Sequence, residues 1–286
     1  MNRKKGFRFR MIQVMLAILA VIILLPVIQT FLYSFSSIVD MKAFMKTRNN
    51  YDNAVWMESR LSPRMFSLDQ YWHILITDNT VLRLFLNSVF YAAVILLGQF
   101  LIIPAMAFAL SKFRFPGRDA LFFGIILLMV LPFQVTMVPN VLTLRSMGLL
   151  DTVWAVILPL WFAPFYIFLV RQFMVMLPDE LIEASSIDGA GPLRTYLHIL
   201  LPVCRPVLGA AAALSFADCW NLVEQPLTYL TNRAELQPLS TMFNQLANEN
   251  TGFEFAGAAL YILPALLIYL FFQEDILSGI QLTEMK

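Results

Sequence analysis

Long apolar stretches alternate with short polar segments along almost the whole chain. A membrane-spanning helix needs about 20 mostly apolar residues, and six stretches meet this length. They cover residues 11–33, 85–110, 120–141, 152–176, 201–229 and 255–272. The fifth is the least regular, since Asp218 and Glu224 interrupt its last third. The pattern predicts an all-α membrane protein with six transmembrane helices.

The composition supports lipid as the main solvent of this chain. Of its 286 residues 59% are hydrophobic and 14% are charged, whereas a soluble domain has about 25% charged residues. A surface of this kind would aggregate in water. The net charge of +1 gives no indication of nucleic-acid binding. A cleaved signal peptide is disfavoured for the first stretch, because the apolar run is too long and no small-residue cleavage site follows it.

The distribution of Lys and Arg predicts the orientation of the chain. Basic residues concentrate at the N-terminus, in the loop after the second span and between the fourth and fifth spans. These regions share one side of a six-span topology, so that side and both termini are predicted to be cytoplasmic. The predicted organisation is an N-terminal segment (1–10), a first span (11–33), an outer loop (34–84), a core of five spans (85–274) and a cytoplasmic tail (275–286).

The segment 177–202, between the fourth and fifth spans, has the local chemistry of a helix–turn–helix. Pro178 suits the first turn of a helix, and Asp179 is stabilised by the positive end of the helix dipole. Gly189 is predicted to end this helix in the left-handed conformation, and Pro192 to open a second short helix. Apolar side chains on these helices have no lipid to face, and exposed apolar surface usually marks a protein partner.

Within this segment, Glu183-Ala184, then Asp188-Gly189-Ala190, then Ile199-Leu200-Leu201-Pro202 follow one another at a spacing that resembles a known motif. It resembles the EAA loop of binding-protein-dependent ABC importer permeases, apart from Ser185, where the family usually has Ala. In that family the loop is a coupling helix that docks into a groove on the ATPase subunit. The resemblance implies ATPase-coupling roles for Glu183, Ala184, Asp188, Gly189, Ala190, Leu193, Tyr196 and Pro202.

The resemblance extends over nearly the whole chain and points to the carbohydrate-uptake branch, similar to the smaller permease subunit of maltose-type transporters. Asn87-Ser88, Asp151-Thr152, Trp220-Asn221 and Pro226-Leu227 match it in order and spacing, whereas the C-terminal tail departs from it. It implies a type I ABC importer permease fold in the inner membrane. The cargo it implies is a sugar or a sugar-derived solute.

The same resemblance implies partners: two copies of an ABC ATPase, a second permease subunit and an extracytoplasmic solute-binding protein. The sequence contains no Gly-x-x-x-x-Gly-Lys-Ser/Thr phosphate-binding loop. The chain is therefore predicted not to be an enzyme and to hold no cofactor, with ATP and Mg bound by the partner ATPase subunits. His73 and His198 are not spaced as a metal site, and no catalytic constellation is evident.

Polar residues within the spans are candidates for a solute path, because they are costly in a membrane. Sugar binding needs aromatic faces together with hydrogen-bonding side chains. Trp220, Asn221, Glu224 and Gln225 offer both and, with Gln134, are the candidate path residues. The alternative for each polar residue, and for Gln99 and Asp218, is an interhelical hydrogen bond or a position at the membrane boundary.

Two other functions remain open at this point. The solute of an ABC importer permease could be a polyamine or a phosphate ester instead of a sugar. An ion-coupled secondary transporter would need buried acids in mid-membrane or an inverted repeat, and neither is visible. The polar loop 231–252 either reaches into a solute-binding protein, as in the resembling family, or is a solvated connector.

Overall fold

The computed structural model describes residues 2–48, 63, 65–77, 79–242 and 253–284, with side chains for 10–43, 63, 65–77, 79–242 and 253–274. Within these residues the fold is helical, and the β-structure consists of one isolated bridge between Ser36 and Phe66. The predicted all-α class is confirmed.

Fourteen α-helices succeed one another in the described part of the chain. They are α1 (Asn2–Ser34), α2 (Ile38–Arg48), α3 (Asp69–Trp72), α4 (Asn79–Lys112), α5 (Arg118–Val130), α6 (Phe133–Ser146), α7 (Val153–Trp161), α8 (Pro164–Met176), α9 (Glu180–Ile187), α10 (Pro192–Thr195), α11 (Leu201–Val203), α12 (Arg205–Trp220), α13 (Glu224–Tyr229) and α14 (Glu254–Glu284). The chain forms two compact units, Met1–Arg83 with Met242–Leu263, and Leu84–Thr241 with Pro264–Lys286.

Four helical segments in the described residues are long and apolar enough to cross a membrane. They are Arg10–Ser34, Asn79–Lys112, Val153–Met176 and Glu254–Glu274. Two further spans exist only if two bent helix pairs, α5 with α6 and α10–α11 with α12, are each counted as one, which gives at most six.

The predicted third span, 120–141, is divided by a bend of 108° between α5 and α6. Pro132 has no N–H to continue the helix, and it favours an extended conformation of the residue before it. Leu131 accordingly has φ −72° and ψ 122°. The proline within this apolar stretch was the sequence signal for the bend.

The predicted fifth span, 201–229, is also interrupted. A bend of 74° lies at Cys204, next to Pro206 in the first turn of α12. The helix continues through Asp218 and ends at Trp220, where the Asn221 side-chain amide donates to the Ala217 carbonyl at 2.8 Å. A side chain that bonds to the backbone in this way competes with continuation of the helix.

The core of the second unit lies where α4, α5, α8 and α12 pack together. Small residues such as Ala107, Cys204 and Ala211 are buried there beside Ile167 and Met174. Lipid tails are as apolar as these side chains, so close packing between small residues is what favours helix contact over lipid contact.

In the first unit, the buried side chain of Gln70 joins two helix ends. Its amide donates to the carbonyls of Tyr33 and Ser36 at 2.8 and 2.9 Å. Its oxygen accepts the backbone N–H of Ala256, in the first turn of α14, at 3.2 Å. Gln70 thus links backbone groups at the end of α1 and at the start of α14, where helices have groups without a partner in the helix itself.

Candidate functional site

The segment after α8 folds into the predicted helix–turn–helix. α9 ends in a turn in which the N–H groups of Asp188, Gly189 and Ala190 return to the carbonyls of Ala184, Ser186 and Ser185 at 3.1, 3.1 and 2.9 Å. Gly189 has φ +76°, as expected of a glycine that ends a helix in the left-handed conformation. Pro192 then occupies the first turn of α10.

Two buried hydroxyls connect the arms of this helix–turn–helix. Ser185 Oγ on α9 lies 2.9 Å from Thr195 Oγ1 on α10 and also donates to the Ile182 carbonyl at 2.7 Å. An alanine at position 185, as the resembling family usually has, could not form this link. The two short helices are therefore joined by a side-chain hydrogen bond as well as by the turn.

Lys112, the last residue of α4, holds the start of the helix–turn–helix. Its ammonium donates to the Leu177 carbonyl and to Asp179 Oδ1, both at 2.7 Å, and its side chain is only 5% exposed. The hydrogen bond and the positive charge of Lys112 lower the pKa of the exposed Asp179 carboxyl from its ordinary value. Sequence reasoning used Lys112 only as a marker of the cytoplasmic side.

Tyr196, one of the predicted coupling residues, packs inward. Its ring stacks on Phe108 of α4 with centroids 5.4 Å apart, and it contacts the core cluster of the second unit. Leu200, one turn further on, is fully buried in that cluster. These residues anchor the helix–turn–helix to the spans below it.

The tip of the helix–turn–helix exposes apolar side chains. Ile187 is 86% exposed and Leu193 70% exposed, with Ala184 exposed on the same two helices. Glu183 and Asp188 are exposed beside them, and Pro202 is exposed in α11. Sequence analysis missed Ile187, although its place at the end of α9, just before Asp188-Gly189, was a usable signal.

At the other end of the unit, two predicted path residues meet. Gln134 Nε2 on α6 donates to Glu224 Oε1 on α13 at 2.9 Å, and both residues are exposed. Gln225, the next residue, is half-buried. The chain thus brings the carboxamide and the carboxylate together from helices that are far apart in sequence.

Trp220 does not present a ring face in this arrangement. It is 1% exposed, stacked on Phe216 at 5.4 Å and in edge contact with Phe85 at 5.8 Å. The neighbouring Asn221 is exposed. Within this chain Trp220 is therefore a packing residue between α4 and α12.

Gln99 forms interhelical hydrogen bonds, which is the alternative to a path role considered for it. Its amide donates to the Leu160 carbonyl at 2.8 Å, and its oxygen accepts the hydroxyl of Ser215. In a continuous helix the Leu160 carbonyl would pair with the N–H of residue 164, which is a proline and has none. The side chain of Gln99 supplies the missing donor.

The described first half of loop 231–252 is fixed to α4. Asn87 donates to the carbonyls of Glu235 and Gln237 at 2.8 and 3.0 Å, and Ser88 Oγ accepts the N–H of Leu239 at 2.8 Å. Residues 243–252 lie outside the described part of the chain. The loop is therefore anchored on this side before it reaches them.

Asp151 lies in the loop between α6 and α7. It has φ +60°, and its carboxylate accepts the backbone N–H and the side-chain amide of Asn232 at 3.0 and 2.8 Å. These hydrogen bonds lower the pKa of Asp151 from its ordinary value. Among the described residues no group of three or more His, Cys, Asp or Glu is arranged to hold a metal ion.

The helical fold and the helix–turn–helix define a class of transport protein. The chain belongs to the family described as binding-protein-dependent transport system inner membrane component, which matches residues 100–274. It is accordingly a multi-pass permease component of an ABC importer in the inner membrane. The family works with an ATPase and a binding protein.

Individual relatives carry more specific names. The chain is 30% identical over 227 residues to the arabinooligosaccharides transport system permease protein AraQ of Halalkalibacterium halodurans, covering 78% of this chain and 81% of the relative. It is 31% identical over 241 residues to the protein LplC of Bacillus subtilis, covering 78% and 80%. It is 32% identical over 202 residues to the sn-glycerol-3-phosphate transport system permease protein UgpE of Shigella flexneri, covering 69% and 72%.

A solved structure shares the fold. It is a chain of a bacterial ABC transporter involved in the import of the acidic polysaccharide alginate. The TM-score is 0.80 with 23% sequence identity, and the match covers 96% of this chain and 98% of the other. The predicted permease fold is confirmed.

Proposed function

We propose that this chain forms part of the translocation path for a sugar or sugar-derived solute, and that ATP hydrolysis by two partner ATPase subunits drives the transport. The chain itself has no ATPase site in this proposal and binds no cofactor, because ATP and Mg are held by the partners. A second permease subunit completes the path, and both termini of this chain are cytoplasmic. The basic residues of the N-terminus and of the inner loops support this orientation.

The exposed apolar tip of the helix–turn–helix carries the proposal. Ile187 and Leu193 expose large apolar surfaces. In the proposed orientation they lie on the cytoplasmic side, where no lipid covers them. Apolar surface of this kind fits a groove on another protein. Glu183 and Asp188 flank the tip and add charge that can fix the orientation of docking.

The contacts that hold the helix–turn–helix against the spans are suited to transmit a movement of its tip. Lys112 ties the start of α9 to α4, Ser185 and Thr195 tie α9 to α10, and Tyr196 packs on α4. A docked ATPase that moves the tip would therefore move α4 and the helices packed on it as a body. No step of this coupling requires chemistry in the permease chain.

The sugar class of solute is supported by relatives. Their names refer to arabinooligosaccharides and to sn-glycerol 3-phosphate, which is a phosphate ester. A structure of the same fold comes from an importer of alginate, a polysaccharide. Two of the three names refer to saccharides, and all three solutes carry several hydroxyl groups.

The proposal is tested by purifying the tagged chain from native membranes in mild detergent and identifying the proteins that accompany it. We expect an ATPase and a second permease to co-purify in stoichiometric amounts. Uptake into liposomes should require ATP on the side of the membrane where the ATPase lies. A chain that purifies alone and moves solute in ATP-free liposomes with an ion gradient would instead be a secondary transporter.

The docking surface is tested by Ile187→Asp, with Met147→Asp as its matched control. Met147 is a 62% exposed apolar residue in the loop after α6, away from the helix–turn–helix. We expect Ile187→Asp, and likewise Glu183→Lys, to lose ATPase co-purification and uptake while still inserting in the membrane. Met147→Asp should retain both, and normal ATPase content in Ile187→Asp would refute the assigned surface.

A further inference from the structure

One face of α12 is left exposed by the residues that the structure describes. Leu214, Ala217, Asp218 and Asn221 are exposed and fall on one stripe at helical spacing, whereas Ser215, at the edge of this stripe, is buried. A carboxylate in a membrane-spanning helix is costly against lipid and faces a water-filled path or another protein. The position of Asp218 therefore marks this stripe as a polar surface within the membrane.

A break in a neighbouring span lies beside this stripe. α7 ends at Trp161 and α8 begins at Pro164, near the middle of the segment Val153–Met176. Irregular backbone at membrane depth is tolerated only where protein buries it or where it lines a water-filled cavity. Gln99 satisfies the Leu160 carbonyl, and the remaining side of the break faces a cavity.

This cavity has a volume of about 190 Å³ and lies between the break and α12. Its lining includes Leu160, Ala163, Pro164, Tyr166, Ser215 and Asp218. At about 30 Å³ per water molecule in the liquid, the space can hold several waters. Mostly apolar walls with a few placed polar groups are typical of small-molecule sites, but the volume is below the roughly 300–1,000 Å³ of a whole ligand pocket, so the cavity fits only part of a solute.

Asp218 is held in a fixed position at the edge of the cavity. The buried Tyr166 donates its hydroxyl to Asp218 Oδ2 at 2.5 Å. A carboxylate oriented by a neighbouring donor is a strong acceptor for the hydroxyl groups of a ligand, because hydrogen bonds to charged groups are stronger than neutral ones.

The charge around the cavity distinguishes classes of solute. None of the described residues that line it is basic. A phosphate or uronate group entering this space would meet the like charge of Asp218, and the mostly apolar walls reduce the screening of that repulsion. A neutral polyol would instead donate its hydroxyls to Asp218.

We propose that the cavity lined by Tyr166 and Asp218 is a solute subsite that selects neutral, hydroxyl-rich sugars over phosphate esters and acidic sugars. The inference rests on the proposed function as a solute path and deepens it. It assigns recognition to Asp218 and the positioning of its carboxylate to Tyr166. From the sequence, Asp218 was considered among the polar residues of the spans, with a hydrogen bond or a boundary position as the alternative, and Tyr166 was not considered.

The first experiment uses the complete complex of this chain with its ATPase, second permease and binding protein in proteoliposomes. Uptake of radiolabelled maltotriose, arabinotriose, glycerol 3-phosphate and alginate trimer is measured with and without ATP. We expect ATP-dependent uptake of a neutral trisaccharide in preference to both anions. Preferential ATP-dependent uptake of an anion would overturn only the proposed subsite and leave the proposed function in place. No ATP-dependent uptake of any probe would overturn the proposed function.

The second experiment isolates the subsite, because the binding protein stays constant. Asp218→Asn removes the charge but keeps the shape, and we expect KM for the neutral trisaccharide to rise about tenfold and its preference over alginate trimer to fall. Tyr166→Phe should raise KM by a smaller factor with little change in kcat. Asp151→Asn, the same exchange at a carboxylate outside the cavity, is the control and should behave like the wild type.

Two results would refute the assignment. A wild-type KM and charge preference in both Asp218→Asn and Tyr166→Phe would show that the cavity does not bind solute. Loss of the second permease from the purified Asp218→Asn complex would show that Asp218 contacts that subunit instead.

Discussion

The ammonium group of Lys112 is buried at the foot of the helix–turn–helix, where it binds one carbonyl and one carboxylate. A buried charge is tolerated when it is paired and hydrogen-bonded, and is costly when one partner is removed. Lys112 is therefore a positioning residue, since it acts on the proposed docking surface through Leu177 and Asp179.

Lys112→Met keeps the length of the side chain but removes its charge. We expect the chain to lose about 2 kcal/mol of stability, because two hydrogen bonds to a charged group are lost, and ATP-driven uptake to fall with it. Thermal unfolding in detergent and uptake assays measure both. Arg118→Met is the control, since Arg118 pairs with the exposed Asp119 at 3.0 Å and such pairs contribute at most about 1 kcal/mol. Equal stability of Lys112→Met and the wild type would contradict the assigned role.

The pair of Lys112 and Asp179 makes the free energy of unfolding depend on pH in the acidic range. Because Lys112 lowers the pKa of Asp179 in the folded state, the stabilisation is complete above the ordinary Asp pKa, near 3.9. It is lost as the pH falls through the lowered pKa of the folded state. Unfolding temperatures between about pH 7 and pH 2.5 should therefore fall more steeply for the wild type than for Asp179→Asn. Parallel curves for the two proteins would exclude this contribution.

Contacts between residues that are distant in the sequence could not be predicted from it. The contact of Lys112 with Leu177 joins residues 65 positions apart, and basic residues are common at the inner ends of spans. Trp220 and Asn221 looked alike as path candidates, yet one is buried between aromatic rings and the other is exposed. Local sequence does not contain the packing that separates them.

At the scale of elements, the helix–turn–helix was predictable because its determinants are local. Gly189 needs a positive φ, and Pro192 fixes the start of the following helix. The broken spans were harder, although Pro132 and Pro164 stood in the sequence. Length and apolar composition fit a continuous span as well as a broken one, and tertiary packing decides between them.

Gly189 gives a prediction for the turn. An added Cβ would meet no atom within 4 Å, so substitutions act through backbone conformation alone. Gly189→Pro cannot reach φ +76°, and we expect it to insert in the membrane but to support no uptake. Gly189→Asn, whose side chain tolerates the left-handed region, should retain most uptake. Similar uptake in the two variants would show that the turn does not depend on this conformation.

Gly98 gives a prediction for the packing of α4 on α7. A Cβ at this position would overlap the indole ring of Trp161, whose N–H donates to the Val94 carbonyl at 3.0 Å. Gly98→Ala should cost about 1–3 kcal/mol through overpacking. Gly124→Ala in α5 is the matched control, because its Cβ meets no atom within 4 Å. Thermal unfolding compares the two, and equal values would contradict the close contact.

On the scale of the whole chain, α1 contributes little to internal packing. None of the residues in its most apolar window is buried by the rest of the described chain, whereas 44% of the corresponding window in Asn79–Lys112 is buried. Its apolar side chains are therefore suited to lipid or to another subunit. Composition, not residue order, is what membrane insertion requires of such a helix.

Permuting the apolar residues of 11–25 should accordingly leave the unfolding of the isolated chain unchanged within about 0.5 kcal/mol. The same permutation of apolar residues within 92–103 of α4 should destabilise it strongly, because it displaces the buried Ile95 and Ile103. Unfolding of the purified chain in detergent measures both. A large loss of stability in the first variant would reveal packing of α1 that its exposure does not indicate.

The pairing of Gln99 with the Leu160 carbonyl also has a consequence for biosynthesis. Because Pro164 leaves that carbonyl without a partner in its own segment, α7 and α8 would enter the bilayer with an unsatisfied backbone group. The chain is made from the N-terminus, so the amide that completes this segment is already in the membrane when the ribosome delivers it. Ser215, which binds the oxygen of the same amide, arrives last and closes the joint. Each polar group of this set, the Leu160 carbonyl and then the Ser215 hydroxyl, is thus synthesised after the Gln99 side chain to which it binds.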